Sequence, residues 1–428
     1  MTIEINRNKA PEVKSIQSVD IALPKAYKLS NGTEVFVFDN PNQELLKIEF
    51  VFENGGTAYS PKPMVASITN AMLSESTTNY SSAELADKVD YFGASFETNV
   101  TRDSASVSLY SLNKFLDKTL PLLKDVISNA NYEQNEIDIH ISRRKQEFMV
   151  NSEKVDFIAR QNFTQLLFGK NHPYGKYSTI EDFDNVDRDD LLSYHSSVYK
   201  HGKHKVFIAG KFSSSDFELL DSLFGKMEFA KEKSLELNWE KHPAEDKYTF
   251  MPKEGAVQNA IRMGFVGLNN DAEDYNGLRI LTTFLGGYFG SRLMSNIRED
   301  KGYTYGIGAA HSSFKSESVF FIATEVKSEV ADDTVSEIKK ELLRLQKELI
   351  SEEELITVKN YLQGSFQRQF DGSFAMMGRF IYINMNNLDY SFYYNYIEEV
   401  KSIDANKLQK LALKYFNEED FYILNVGN

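Results

Sequence analysis

Between Thr33 and Ile127 the sequence sets out an order of elements that it repeats between Asn259 and Leu349. In the first pass, the alternating segments TEVFVFDN and LLKIEFVFENGG precede two helical stretches, PKPMVASITNAML and SSAELADKVDYFG. The alternating ASFETNVTRDSASVSLYS and the helical LNKFLDKTLPLLKDVI follow. In the second pass, NAIRMGFVGL leads to the helical YNGLRILTTFL and GSRLMSNIRED, the strand-like YTYGIGAAHSS and ESVFFIATEV, and the helical VADDTVSEIKKELLRLQKEL. The assignments rest on period: Leu278, Ile280, Leu281 and Leu285 share a helical face, whereas SVFFIATEV is short and rich in β-branched and aromatic residues. A duplicated unit of this size predicts an α+β chain of two homologous domains, each a mainly antiparallel sheet with helices packed on one face. The expected division is residues 1–230, a charged connection at 231–248 carrying Trp239, the only tryptophan, and residues 249–428.

Composition removes several kinds of function. With 62 Asp and Glu against 48 Lys and Arg, the net charge of -14 argues against nucleic acid or an anionic membrane as the main partner. The absence of cysteine excludes disulfides, zinc ribbons and thiolate chemistry, so a metal site would need His, Asp and Glu. The polar N-terminal MTIEINRNKAPEVKSIQ lacks a secretory apolar core, which leaves a cytoplasmic protein as the expectation, or a periplasmic one if a leader has been removed.

Two histidines one helical turn apart would be needed for a single-chain zinc hydrolase, because residues four apart share a face. Neither H-E-x-x-H nor H-x-x-E-H occurs; only HGKH, His201 to His204, pairs two rings, in a Gly- and Lys-rich turn without an acidic neighbour. There is no G-x-S-x-G elbow. Glu352, Glu353 and Glu354 open a predicted helix, where acidic side chains complement its dipole. The Gly-rich LGGYFGSRLMSNIREDKGYTYGIGA has the spacing of neither phosphate-binding loop.

The duplicated halves, the opening LSNGTEVFVFDN, the segment LFGKNHPYGKY and above all LGGYFGSRLMSNIREDKGYTYGIGA resemble the pitrilysin/insulinase-like zinc metallopeptidases, in the two-domain form of mitochondrial processing peptidase subunits. The resemblance implies an inverted zinc motif on the first helix of the first domain, with a third glutamate ligand later. That helix reads PMVASITNAMLSEST, with Ser67, Asn70 and Ala71 where the family has His, Glu and His. A hydroxyl and a methyl cannot replace imidazole ligands, and an amide cannot act as the general base. Glu147 stands about where the third ligand would be, and also reads as an ordinary helix-face carboxylate. No zinc is therefore expected on this chain.

The resemblance further matches Arg298 and Tyr305, seven residues apart, to the family's substrate-holding pair. Arginine offers a planar fork of donors for a peptide carbonyl or carboxylate, and a tyrosine hydroxyl can donate to an oxyanion. The alternative is structural: Arg298 and Lys301 complement a helix end, Gly302 turns the chain, and Tyr303 and Tyr305 lie on a strand. Gly286 and Gly287 either line a cleft or stop the preceding helix. The implied function is that of a zinc-less, substrate-binding subunit of a heterodimeric peptidase acting on unfolded peptides, with zinc in a homologous partner chain. A non-catalytic scaffold, or a peptide-binding homodimer, is the other reading.

Overall fold

The computed structural model describes residues 21–229, 237 and 239–428; the N-terminal stretch and residues 231–236 and 238 of the expected connection lie outside the described residues. Among the described residues, eleven strands form two sheets. The first contains β1 (Lys25–Lys28), β2 (Glu34–Asp39), β3 (Leu45–Glu53), β4 (Ser95–Val100), β5 (Ser104–Leu112) and β6 (His204–Gly210), in the order β1-β2-β6-β3-β5-β4. The second contains β7 (Tyr248–Pro252), β8 (Gln258–Val266), β9 (Ile307–Ser313), β10 (Ser318–Lys327) and β11 (Tyr422–Gly427), in the order β7-β11-β8-β10-β9. With β1 set aside the two orders correspond strand for strand. In each sheet the last strand returns after a long helical run and inserts between the first two, parallel to one (β2 with β6, β7 with β11) and antiparallel to the other. The duplication visible in the sequence is thus a duplication of topology.

Helices α1 (Val65–Ala71) and α2 (Ser82–Tyr91) join β3 to β4, and α3 (Leu116–Asn129), α4 (Gln134–Ser152), α5 (Val155–Phe168) and α6 (Arg188–His195) join β5 to β6, with α7 (Ser214–Phe224) after it. In the second half, α8 (Tyr275–Thr282) follows β8, and α9 (Ala331–Lys347), α10 (Glu352–Arg368), α11 (Ser373–Met385), α12 (Ser391–Ser402) and α13 (Ala405–Tyr415) lie between β10 and β11. Local chemistry fixes their starts. At α2 the Ser81 hydroxyl accepts from the Glu84 N–H while the Glu84 carboxylate accepts from the Ser81 N–H, an arrangement worth about 1 kcal/mol.

Strand alternation sends side chains to two different cores. Ile48, Phe50 and Phe52 of β3 pack with Val206 and Ile208 of β6 under the helices of their own half, including Leu120, Leu123 and Ile127 of α3. The opposite face carries Phe36, Phe38, Val51, Phe207 and Ala209, and these meet Met377 and Phe380 of α11, from the second half. The reciprocal holds: Ala260 of β8 with Leu424 and Val426 of β11 meets Val155, Ala159 and Phe163 of α5, from the first half. Each half therefore has its own helices on one face of its sheet, as expected, and lends one helix to the other face of its neighbour. Period-2 alternation allows this because both faces of the central strands are apolar.

The described part of the connection is docked. Trp239 lies 5.5 Å from the His172 ring and 5.3 Å from Tyr174, the His242 N–H donates to the Phe168 carbonyl at 3.0 Å, and Lys241 pairs with Glu317 of the second half at 2.9 Å. Among the described residues no helix is long and apolar enough to cross a membrane.

Candidate functional site

Helix α1 is preceded by Met64, which takes a left-handed backbone conformation with φ of 66°, a geometry costing a non-glycine residue about 1 kcal/mol. That turn orients the helix so that Ser67 is half-buried at the edge of a cleft and Ala71 is exposed, while Asn70 is directed inward. The Asn70 amide is 3% exposed and donates to the Tyr199 hydroxyl at 2.9 Å and to the Ser106 carbonyl at 3.3 Å. Glu147 of α4 lines the same cleft as Ser67, so two of the positions picked out by the resemblance come together across one space.

The residues in that space do not fit zinc. Ser67 offers one neutral hydroxyl, Ala71 offers nothing, and Asn70 has its amide committed to the core. The Glu147 carboxylate accepts from Arg144 at 3.1 Å and has Arg143 at 4.0 Å, so guanidinium groups sit beside the one carboxylate that lines the cleft among the described residues. Among the described residues no three His, Asp or Glu side chains gather as a metal site would require. The HGKH pair is divided: the His204 ring lies among Phe50, Phe52 and Phe229, and burial pushes it down to about 4, whereas the His201 Nδ1–H donates to the Glu228 carbonyl at 3.1 Å.

The cleft has a volume of about 660 Å³, within the range of small-molecule and peptide pockets. Its apolar wall is built on Phe148, which meets Phe157 at 5.4 Å and Phe183 at 5.5 Å. Among the described residues its charged lining is Lys62, Arg102, Arg144 and Lys176 against Glu147. Lys62 is drawn to Asp190 at 2.7 Å. Arg102, in the turn between β4 and β5, donates to the Lys176 carbonyl at 3.0 Å; desolvation lowers its basicity, with Asp103 acting in the other direction. Sequence reading missed Arg102 and Lys176, which lie 74 positions apart on loops. The signal available was the segment LFGKNHPYGKY, which contains Lys176 and Tyr177.

In the second half, the chain from Met294 to Asp300 winds as a π-helix, a form that recurs at functional sites. Within it Arg298 is half-buried and stacks 4.5 Å above the ring of Phe289, which is 63% exposed. Gly302, at φ of 67°, then turns the chain, with the Tyr303 N–H donating to the Ile297 carbonyl at 3.0 Å; this is the helix-ending role read from the sequence. Tyr305 lies before β9 and is 94% exposed. It rims a second cleft of about 290 Å³ with Asp156, Arg262 and Glu325. Arg262 pairs with Asp156 across the two halves, and Asp156 adjoins Phe157, so the two clefts flank the same end of α5. Gly286 is required by packing: a Cβ there would stand 2.5 Å from the Ala309 N of β9, so only glycine lets the two backbones approach.

Family models match along most of this architecture. Residues 40–173 match the insulinase model of peptidase family M16, and residues 185–362 match the model of the peptidase M16 inactive domain. The uncharacterized zinc protease YmxG of Bacillus subtilis is 23% identical over 403 residues, 92% of this chain and 96% of the relative. The non-peptidase homolog YmxG of Helicobacter pylori is 21% identical over 377 residues, 87% of this chain and 84% of the relative. The crystal structure of a peptidase M16 inactive domain from Pseudomonas fluorescens superimposes with a TM-score of 0.82 at 21% identity, covering 94% of this chain and 98% of that one. The duplicated topology, the first-half helix with Ser67, Asn70 and Ala71 in place of zinc chemistry, and these matches lead to one conclusion: the chain belongs to peptidase family M16, as a homologue without the zinc motif.

Proposed function

We propose that this chain is the zinc-less, substrate-binding subunit of a heterodimeric M16 metallopeptidase, with zinc carried by a homologous partner chain. The observation that supports it is asymmetric loss. The first half has Ser67, Asn70 and Ala71 at the three positions of the zinc motif and keeps only Glu147 near the third-ligand position, whereas the second half keeps Arg298 and Tyr305 in the family's spacing, held by the π-helix and the Gly302 turn. Arg298 would hold a peptide carbonyl or carboxylate, and the exposed Tyr305 hydroxyl would donate to the oxyanion formed on the partner's metal side. Unfolded peptide suits such a cleft, because extended backbone can be held by main-chain pairing at a sheet edge with little demand on sequence.

The test is reconstitution. Mixed with a homologue that has an intact H-x-x-E-H, the pair is expected to hydrolyse an unfolded peptide that neither chain cuts alone. Arg298→Ala or Tyr305→Phe in this chain should lower kcat of the pair by roughly tenfold or more while the pair still forms, since removal of one oxyanion donor typically costs that much or more. Chelator-sensitive activity from this chain alone, or full activity in both variants, would overturn the proposal. In the latter case a scaffold or homodimer role, read by mass in solution, takes its place.

A further inference from the structure

The large cleft of the first half is a space that the lost zinc motif no longer explains, and its chemistry has changed sign. Where three metal ligands would bring negative or neutral donors around a cation, the cleft here carries, among the described residues, four cationic side chains to one carboxylate. Two of the cations are held by that balance: Lys62 by Asp190, and Arg144 by Glu147. The other two are not. Arg102 uses one N–H on the Lys176 carbonyl, and neither Arg102 nor Lys176 forms an ion pair among the described residues. A half-buried guanidinium with donors to spare, in a cleft that an exposed lysine and an aromatic wall also line, is an arrangement for a carboxylate attached to an apolar body.

We propose that this cleft binds acidic peptide segments, with carboxylate side chains held by Arg102 and Lys176 and apolar side chains laid against Phe148, Phe157 and Phe183. The site needs no metal and no partner subunit, and it is separate from the Arg298 and Tyr305 motif. The chain's own charge sharpens the claim. At -14 overall, the molecule repels an acidic peptide at long range, but fields from exposed charges fade over about 8 Å at physiological salt, so contacts inside the cleft decide the preference. Non-specific attraction would favour a basic peptide instead.

Titration calorimetry of the whole chain with a peptide of alternating Glu and Phe, and with its alternating Lys and Phe counterpart, tests this. The acidic peptide should bind and the basic one should not, and added salt should weaken the binding. Lys176→Glu should reduce affinity about tenfold or more, Lys176→Arg should retain it, and the same reversal at Lys118 of α3 should leave it unchanged. Arg102→Gln, which keeps a donor for the Lys176 carbonyl, should also weaken binding. Absence of binding, equal binding of both peptides, or insensitivity to Lys176→Glu would overturn the inference. Displacement by inorganic phosphate alone would reduce the site to a simple anion site and overturn its peptide assignment. Loss of binding in Arg298→Ala with Lys176→Glu unaffected would move the site to the second half, whereas failed reconstitution with a zinc partner would leave this inference standing.

Discussion

Asn70 shows how completely a single position has been reassigned. A glutamate acting as general base must reach the cleft, but this amide is turned into the core and satisfies the Tyr199 hydroxyl and the Ser106 carbonyl. Asn70→Glu would put a carboxylate among apolar neighbours with no cation to meet it, and should cost about 3 kcal/mol of stability at neutral pH. Burial raises the pKa of such a group in the folded state above its unfolded value, so the deficit against the parent should shrink as pH falls toward the acid range where both states are protonated. Urea midpoints of the two proteins at acid and neutral pH would show this, and a deficit independent of pH would refute it. The buried histidines make the opposite case. His195 and His204 are 4% and 5% exposed, and burial pushes each down to about 4 from 6.5. Above 6.5 both states are neutral; as pH falls toward 4 the unfolded chain takes up protons that the folded chain refuses. Each histidine thus removes up to about 3 kcal/mol over that window. Replacing His204 by Asn, which can keep the bond to the Gly202 carbonyl, and His195 by Gln, which can keep the bond to the Ile127 carbonyl, should flatten the loss of stability between pH 6.5 and 4. Parallel curves for parent and double variant would count against it.

At the level of elements, the exchange of α5 and α11 makes the two halves depend on each other. Phe380 of α11 lies 4.9 Å from Phe36 and 5.7 Å from Phe38, both on β2 of the other half. Truncation to Ala should cost about 2–3 kcal/mol, toward the lower side for a phenylalanine because the ring is only partly buried. A change below about 0.5 kcal/mol, the scale of an ordinary surface substitution, would show that this helix is not what covers the first sheet. The succession of strands and helices along each half was legible because alternation and helical period differ clearly in segments such as SVFFIATEV and VADDTVSEIKKELLRLQ, whereas the order of the strands within each sheet was not. The exchange was not, because an apolar stripe on Ala159 and Phe163 states that a face is buried without saying against which sheet. The site divides in the same way. Ser67 could be placed from the flanks of a contiguous helix, whereas Arg102 and Lys176 meet only once two loops have folded together.

Across the whole molecule these contacts decide where the chain can be divided. The expected division at residues 231–248 separates two topologically equivalent sheets, but it leaves α5 covalently with the first and α11 with the second. Residues 249–428 alone would expose Ala260, Val319, Leu424 and Val426, all at most 3% exposed in the intact chain, on one face of a sheet. An apolar face of that kind drives association, so this fragment should aggregate when produced by itself. By contrast, a chain cut only within residues 231–236 keeps the contacts between the halves. These include the Arg262–Asp156 and Lys253–Glu153 ion pairs and the bond from the Lys315 N–H to Asp103. An engineered protease site there should give two polypeptides that still elute as one species and still fold with a single transition. Separation of the two pieces under native conditions would mean that the exchanged helices contribute little, and that the halves are independent domains after all. If they stay together, the clefts on either side of α5 belong to one body, and a peptide held in one lies against the same helix end as a peptide held in the other.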